Sequence, residues 1–179
     1  MEAYRVEIAE LLDSLGTSTS VTDSFVLPSL DIGDEHYDFN APIAFDVTVT
    51  NTGTAVIAYG TVHAPAVTTC VRCLCEFPLV IEGAVEGFYV FPGQDEDIPE
   101  EQDVEYIDVD GAIDLMPAIM SAIVLEAPFA PLHDEECAGI CSGCGVDLNN
   151  AECSCGSGDD QDHPFAALRA LVTEDDAQS

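Results

Sequence analysis

The chain has 179 residues, a length that suits one domain or one domain with a small appendage. Hydrophobic residues make up 47% of it, which is enough for a core and argues against a disordered chain. The chain contains 35 Asp and Glu residues but only 3 Arg and no Lys, which gives a formal net charge of −32. This charge argues against stable direct binding to RNA, DNA or an anionic membrane.

Apolar residues at helical spacing predict a short amphipathic helix over Tyr4–Leu15, ending near Gly16. The alternation of apolar and polar residues from Ile43 to Thr50 predicts a half-buried strand, followed by a turn at 51–53. A second strand over Ala55–Val62 can return antiparallel, and alternate apolar residues predict a third over 77–91. Together these segments predict an antiparallel meander of at least three strands.

The stretch 95–110 carries nine acidic residues and no basic one, which is typical of a solvated loop, with a short edge strand around Tyr106. Asp114 is the predicted N-cap of a helix that buries apolar residues up to Leu125 and stops before Pro128. A last helix is predicted over Pro164–Val172, followed by an acidic tail.

These elements predict an α+β fold: an antiparallel β meander with flanking helices and a C-terminal Cys-rich zinc-binding segment. We expect four parts along the chain. They are an N-terminal helix and linker (1–20), a sheet-plus-helix domain with the acidic loop (21–130), the Cys-rich segment (131–158), and a C-terminal helix with its tail (159–179).

The expected compartment is the cytoplasm. The first 14 residues lack the basic start and apolar run of a secretory signal, and no apolar window is long enough to span a bilayer. Cysteines of a cytosolic protein are kept reduced, so clustered pairs indicate metal ligands or redox groups more readily than disulfides.

The eight cysteines fall into two clusters. The first is Cys-Val-Arg-Cys-Leu-Cys at 70–75, and the second, rich in glycine, runs from 137 to 155 with His133 before it. A Cys-x-x-Cys turn directs two thiolates at one zinc ion and leaves two tetrahedral positions for other groups. The clusters therefore predict zinc binding.

Two partitions of the ligands are open. The first makes one site of Cys70, Cys73, His133 and Cys137, and another of Cys141, Cys144, Cys153 and Cys155, with only Cys75 left over. The second is a two-knuckle ribbon that joins the pair 70/73 to the pair 141/144. Reduced cysteines that pack as small apolar groups, and a redox or iron–sulfur role, are the competing interpretations.

No catalytic constellation emerges, and the chain is expected not to be an enzyme. Four histidines are far apart in sequence, and no nucleophile elbow or phosphate-binding glycine loop is present. Arg72 stands out because it is one of three cations and lies inside the first cysteine turn. It is a candidate partner-binding residue, with pairing to an acidic neighbour within the chain as the alternative.

Five segments in this order resemble the YceD family, the large ribosomal RNA subunit accumulation proteins, over roughly residues 20–172. They are Cys-Val-Arg-Cys-Leu (70–74), Ile-Asp-Leu (113–115), Pro-Leu-His-Asp-Glu-Glu-Cys (131–137), Gly-Ile-Cys-Ser-Gly-Cys-Gly-Val-Asp-Leu-Asn (139–149) and His-Pro-Phe-Ala-Ala-Leu (163–168). The resemblance implies a bacterial or plant organellar protein needed for accumulation or processing of 23S rRNA. Relatives with cysteine at position 133 and histidine at 153 or 155 favour the first partition.

Charge and resemblance together predict a non-enzymatic factor for large ribosomal subunit assembly. It is expected to bind a basic ribosomal protein or assembly factor, and rRNA only indirectly, since like charges repel RNA and attract basic proteins. The alternatives are a direct RNA-binding or RNA-processing protein that uses Arg72, and a thiol redox regulator. An acidic proteome, in which charge only maintains solubility, is another explanation of the composition.

Overall fold

A seven-stranded, mostly antiparallel sheet is the largest element of the described residues. The computed structural model describes residues 3–93 and 104–155. The elements within them are β1 (Arg5–Glu7), α1 (Ala9–Leu12), β2 (Ser18–Phe25), β3 (Ser29–Ile32), β4 (Glu35–Asp38), β5 (Ile43–Asn51), β6 (Val56–Thr69), β7 (Glu76–Val90), β8 (Glu105–Tyr106), β9 (Ala112–Asp114) and α2 (Met116–Glu126). An α+β fold, mostly antiparallel sheet, is confirmed.

The predicted meander is confirmed as β5, β6 and β7, which pair antiparallel in chain order. Alternate residues of β5 from Ile43 to Asn51 are buried, as the period of two requires. Strand β6 has 14 residues and continues beyond the predicted end at Val62 as far as Thr69, whereas β7 has the predicted length of 15 residues and begins one residue earlier, at Glu76. The hairpin that joins them carries the first cysteine cluster.

Strand β6 is the branch point of a seven-stranded sheet. On one side it pairs with β5 over 56–63 and then with β4 at Val67, and on the other side it pairs with β7. Strand β2 extends the sheet beyond β5, β3 extends it beyond β4, and β8 pairs parallel with the end of β7. The strands β2, β3 and β4 have no counterpart among the elements that the sequence predicts.

The predicted helix over Tyr4–Leu15 is wrong for most of its length. Residues Arg5–Glu7 form β1, which pairs antiparallel with β9, and only Ala9–Leu12 is helical. The apolar residues that suggested a helix are still on the core side, since Ile8 and Leu11 are buried. Pairing with β9 satisfies the backbone here, so the tertiary context overrides the helical spacing.

Helix α2 begins one residue later than predicted and packs on β7. Its N-cap is Leu115, and Asp114 lies in β9, from where its carboxylate accepts the N–H of Met116. Ile119 and Ile123 are buried, but Leu125 is 75% exposed, so its predicted place in the core is wrong. The helix does end before Pro128.

The predicted edge strand near Tyr106 is present as β8, although it is only two residues long. Ile107 after it is buried, whereas Val109 is almost fully exposed. Part of the acidic loop, 94–103, lies outside the described residues, and so do the predicted helix Pro164–Val172 and the tail.

The chain divides into two compact units. The first consists of Met1–Val71 with Cys75–Glu135 and contains the two sheets and two helices found among the described residues. The second consists of Arg72–Leu74 with Glu136–Ser179. In the second unit the carbonyl of Arg72 accepts the N–H of Ile140, which attaches the short segment to the long one.

Candidate metal centre

Four cysteines of the second unit converge on one point. The sulfur atoms of Cys141, Cys144, Cys153 and Cys155 all lie within 4.8 Å of one another. Cys153 Sγ is 3.2 Å from Cys141 Sγ and 3.4 Å from Cys144 Sγ. Zinc–sulfur bonds of about 2.3 Å in a tetrahedron separate the sulfurs by about 3.8 Å, so the cluster has the size of a tetrahedral thiolate site.

The turn at Cys141 orients the first two of these sulfurs. The N–H of Gly145 donates to the carbonyl of Cys141 at 2.8 Å, and the N–H of Cys141 donates to the carbonyl of Val146 at 2.8 Å. Gly145 has φ +73°, a left-handed conformation that glycine adopts without a steric penalty. The N–H of Gly143 also donates to Cys141 Sγ at 3.4 Å, as expected for a sulfur that carries negative charge.

A second turn returns the chain to the same point. The carboxylate of Asp147 accepts the N–H of Asn149, and its carbonyl accepts the N–H groups of Asn150 and Ala151. This turn brings Cys153 and Cys155 back to the first pair. The N–H of Cys155 then donates to Cys153 Sγ at 3.2 Å.

The thiols of this cluster differ in acidity. Donation from the N–H of Cys144, then from the thiol of Cys153 and the N–H of Gly143, lowers the pKa of Cys141 to about 6. The bond from Cys153 to Cys141 raises the pKa of Cys153 to about 12. Cys141 thus has a more acidic thiol than Cys153, and a divalent cation that binds Cys153 has to displace its proton.

The turn at Cys70 has the same backbone pattern as the turn at Cys141. The N–H of Cys70 donates to the carbonyl of Cys75 at 2.9 Å, five residues on, as Cys141 does to Val146. Leu74 occupies the position of Gly145 and has φ +61°, the one left-handed non-glycine residue among those the structure describes. A leucine in this conformation is strained, which indicates that the turn geometry is required here.

The other predicted ligand set is divided between the two units. In the first unit, Nδ1 of His133 lies 3.5 Å from Cys70 Sγ, and the His133 ring lies edge-on to that of Phe77. In the second unit, Cys73 and Cys137 are both buried, and their sulfurs lie within 4.8 Å of each other. Each half thus supplies two candidate ligand atoms at close range.

The four-cysteine set of the first partition is brought together within the second unit. Cys141 and Cys144 are grouped with Cys153 and Cys155. The two-knuckle ribbon would instead need Cys141 and Cys144 beside the pair 70/73. Cys75, the residue left over by the first partition, is half-buried and belongs to neither group. All eight cysteines lie in the described residues and all are thiols rather than disulfides. These Cys and His clusters could hold metal ions.

Two polar side chains support the buried cysteine Cys137. The guanidinium of Arg72 donates to the carbonyl of Cys137 at 3.1 Å. The amide of Asn149 donates to Cys137 Sγ at 3.4 Å, and its Oδ1 accepts the N–H of Ala138. The contact of Asn149 was not predicted from the sequence; its position in an Asp-Leu-Asn turn beside the cluster was the available signal.

Comparison with known proteins gives one family. The family described as "Large ribosomal RNA subunit accumulation protein YceD" matches residues 58–172. That range starts later than the resemblance seen in the sequence and includes every residue of both proposed ligand sets. No solved structure matches the chain.

Two relatives are uncharacterised proteins of Mycobacterium leprae and Mycobacterium tuberculosis. Each is 35% identical over 111 residues, or 62% of this chain. The aligned part covers 51% of the first relative and 54% of the second, so the chain spans about half the length of the curated relatives it matches. Within the described residues, every helix is too short or too polar to cross a membrane.

Proposed function

This chain belongs to the YceD family of large ribosomal RNA subunit accumulation proteins, and we propose that it acts in that role as a non-enzymatic, zinc-binding factor. The observation that carries the proposal is the family match over residues 58–172, which includes both ligand sets. The family description supports a role in large-subunit assembly. We propose that the protein acts in the cytoplasm, where cysteines stay reduced and can bind a metal.

The proposed partner is a basic ribosomal protein or a basic assembly factor. A formal net charge of −32 with three arginines repels the phosphates of rRNA and attracts a cationic protein. Contact with 23S rRNA is then indirect, through the protein that the chain holds. Long-range attraction of this kind increases association rates and decreases with salt.

We propose zinc as the metal at both ligand sets. Cys141, Cys144, Cys153 and Cys155 form the first site, which the distances between their sulfurs support. The second site consists of Cys70, Cys73, His133 and Cys137, supported within each unit by the 3.5 Å approach of His133 to Cys70 and by the proximity of Cys73 to Cys137. Tetrahedral sites of thiolate and imidazole are typical of zinc.

A closed four-ligand site stabilises structure, since no coordination position remains for a substrate. In the second unit the metal would hold turns that bury few apolar side chains, so the binding energy becomes folding energy. We also propose that Arg72, which is exposed and donates to Cys137, contacts the partner. A carboxylate on the partner is the complementary group.

Depletion of the protein in its host tests the proposed role. The ratio of 23S to 16S rRNA should fall on depletion, and the wild-type chain should restore it. Cys141→Ser should restore it less well than Cys75→Ser, because Cys75 belongs to neither ligand set. An unchanged rRNA ratio after complete depletion would overturn the proposal.

A second experiment distinguishes the basic partner from direct RNA binding. The tagged protein is recovered from host lysate at moderate salt, with and without nuclease. A basic ribosomal protein or assembly factor should remain bound after nuclease treatment and leave as salt is raised. Recovery of rRNA after the ribosomal proteins have been stripped, with no basic protein retained, favours the direct RNA-binding alternative instead.

A further inference from the structure

The outer face of the long hairpin carries an apolar depression. In the first unit, two cross-strand pairs, Pro65 with Val80 and Val67 with Pro78, place four apolar side chains on one face of β6 and β7. Their neighbours Ala66 and Leu79 point the other way and pack with the core. A cavity of about 450 Å³ lies here, bordered also by Asn40 and Ala41.

The depression exists because the sheet divides at Pro65. Strand β5 pairs with β6 only as far as His63, and β4 takes over at Val67. Proline lacks an N–H and is excluded from positions that need a ladder bond, so it fits the gap between the two partners. The same gap leaves the apolar surface without a neighbouring strand on that side, within the described residues.

Among the residues that the structure describes, the side chains of the depression are accessible to solvent. Val80 is 50% exposed, Pro78 is also exposed, and Pro65 and Val67 are half-buried. An apolar side chain that enters the cavity would remove these surfaces from water, which contributes roughly 25 cal/mol per Å² of apolar area.

Carboxylates from three positions surround the apolar surface. Glu76 and Glu82 lie on the same face of β7, on either side of Pro78 and Val80, and Asp38 of β4 lies opposite Val67. His36 contacts Asp38 and His63 contacts Glu82, so the rim stays net negative even when both histidines are protonated. The side chains of Asp38 and Glu82 are 56% and 76% exposed.

We propose that this face, named here the hairpin groove (Pro65, Val67, Pro78, Val80 with Asp38, Glu76 and Glu82), binds a segment of a basic protein. The segment places one apolar side chain in the cavity and flanking Lys or Arg side chains on the carboxylates. Apolar contact supplies affinity and the charges supply orientation. This inference rests on the proposed function, because it assigns a surface to the proposed basic partner.

Photo-crosslinking locates the partner. A photoreactive phenylalanine analogue replaces Val80, or Val26 as a control, since Val26 is a 75% exposed valine outside the groove. The probe is the protein fraction of the host's large ribosomal subunit, freed of rRNA. Position 80 should crosslink to one basic protein, within a segment that contains Lys or Arg beside an apolar residue, and position 26 should not.

A synthetic peptide of that segment then measures affinity. Val80→Lys should weaken binding at least tenfold, and the matched Val26→Lys, with the same change in charge, by less than twofold. Glu76→Gln with Glu82→Gln should weaken it about two- to tenfold, more at low salt than at high salt. The unfolding midpoint of each variant shows that the fold is kept.

Several results would overturn the groove. They are equal crosslinking from positions 80 and 26, a crosslink from position 80 to a second copy of this chain, a crosslinked segment without Lys or Arg, and peptide binding that Val80→Lys leaves unchanged. If a basic protein is still retained after nuclease treatment and the rRNA ratio still falls on depletion, the proposed function stands and only the groove is wrong. If depletion leaves the rRNA ratio unchanged but the peptide binds and Val80→Lys weakens that binding, the groove stands and the proposed function is wrong.

Discussion

Leu74 and Gly145 occupy the same position in two Cys-x-x-Cys turns, and both have a left-handed backbone, with φ +61° and +73°. In each turn the first cysteine donates its N–H to the carbonyl five residues later. Left-handed geometry costs an L-residue such as leucine roughly 1–2 kcal/mol, whereas glycine adopts it freely. The left-handed geometry of the cysteine turn is therefore kept at position 74, although leucine is unfavourable in that conformation.

Substitution of Leu74 should follow backbone preference rather than hydrophobicity, because its side chain is 61% exposed. We predict that Leu74→Val lowers the free energy of unfolding by about 1–2 kcal/mol, since a branched Cβ worsens the left-handed strain. Leu74→Gly should be neutral or stabilising by up to about 1 kcal/mol. Denaturant unfolding measures both.

The control for Leu74 is Leu15→Val, because Leu15 is 75% exposed and has negative φ. That change should alter stability by less than about 0.5 kcal/mol. Equal effects of Leu74→Val and Leu15→Val would mean that the turn at Cys70 carries no strain.

Ligand variants should separate the two proposed metal sites. Cys141→Ser and Cys70→Ser are each expected to remove one zinc equivalent, while Cys75→Ser removes none, because the half-buried Cys75 lies outside both sets. Cys141→Ser should also increase amide hydrogen exchange over residues 139–155, since the metal there supplies folding energy. Full metal content in Cys141→Ser would contradict the four-cysteine assignment.

His36 should titrate above its ordinary pKa of 6.5. Its ring contacts Asp31 at 2.5 Å, and that hydrogen bond, with a smaller contribution from Asp38, raises the pKa of His36. A raised folded-state pKa adds stability that is fully present below the unfolded value and is lost as pH rises through the folded one. NMR titration of the His36 ring should show this.

Asp31→Asn is the test of the cause, because it removes the carboxylate and keeps the shape. The pKa of His36 should fall toward 6.5, and the stability gained at low pH should shrink. An unchanged pKa in Asp31→Asn would assign the shift to another group.

Gly83→Ala should disrupt the packing of α2 on β7. A Cβ at Gly83 would lie 2.6 Å from the carbonyl oxygen of Ala122, which is backbone and has little room to move. We predict a loss of about 1–3 kcal/mol in the free energy of unfolding. Ala84→Ser, on the exposed face of the same strand, should change it by less than about 0.5 kcal/mol, and similar losses in both would refute the close approach.

Sequence predicted those parts of the fold in which burial alternates along the strand. Val47 and Val49 are fully buried in β5, with the half-buried polar Thr48 between them, so the period of two was visible. Strand β2 is mostly exposed and rich in Ser and Thr, and it is held by pairs such as Ser18 with Thr50 at 2.8 Å. No apolar alternation marks such a strand, because its stability comes from pairing with β5.

At the N-terminus, by contrast, a clear sequence pattern predicted the wrong element. Tyr4 and Ile8 lie at helical spacing, yet the backbone between them pairs with β9 more than 100 residues away in sequence. Local spacing carries no information on such a pairing. Helix α1 ends where Asn51, buried and distant in sequence, donates its side-chain amide to the carbonyl of Leu11 at 3.0 Å.

The candidate ligand clusters were predictable because a tetrahedral metal site restricts both residue type and spacing. The grouping of Cys141 and Cys144 with Cys153 and Cys155 follows from Cys-x-x-Cys, a turn and Cys-x-Cys within 15 residues. The support of Cys137 by Asn149 was not predictable, because many asparagines lie in turns without contacting sulfur.

Zinc content of the full chain, purified under reducing conditions without added metal, tests the central claim most directly. Two bound zinc ions per chain are predicted, with four cysteines protected from thiol reagents at one site and three at the other, and Cys75 accounting for the eighth. A chain that folds with no bound metal and eight reactive thiols would contradict the account.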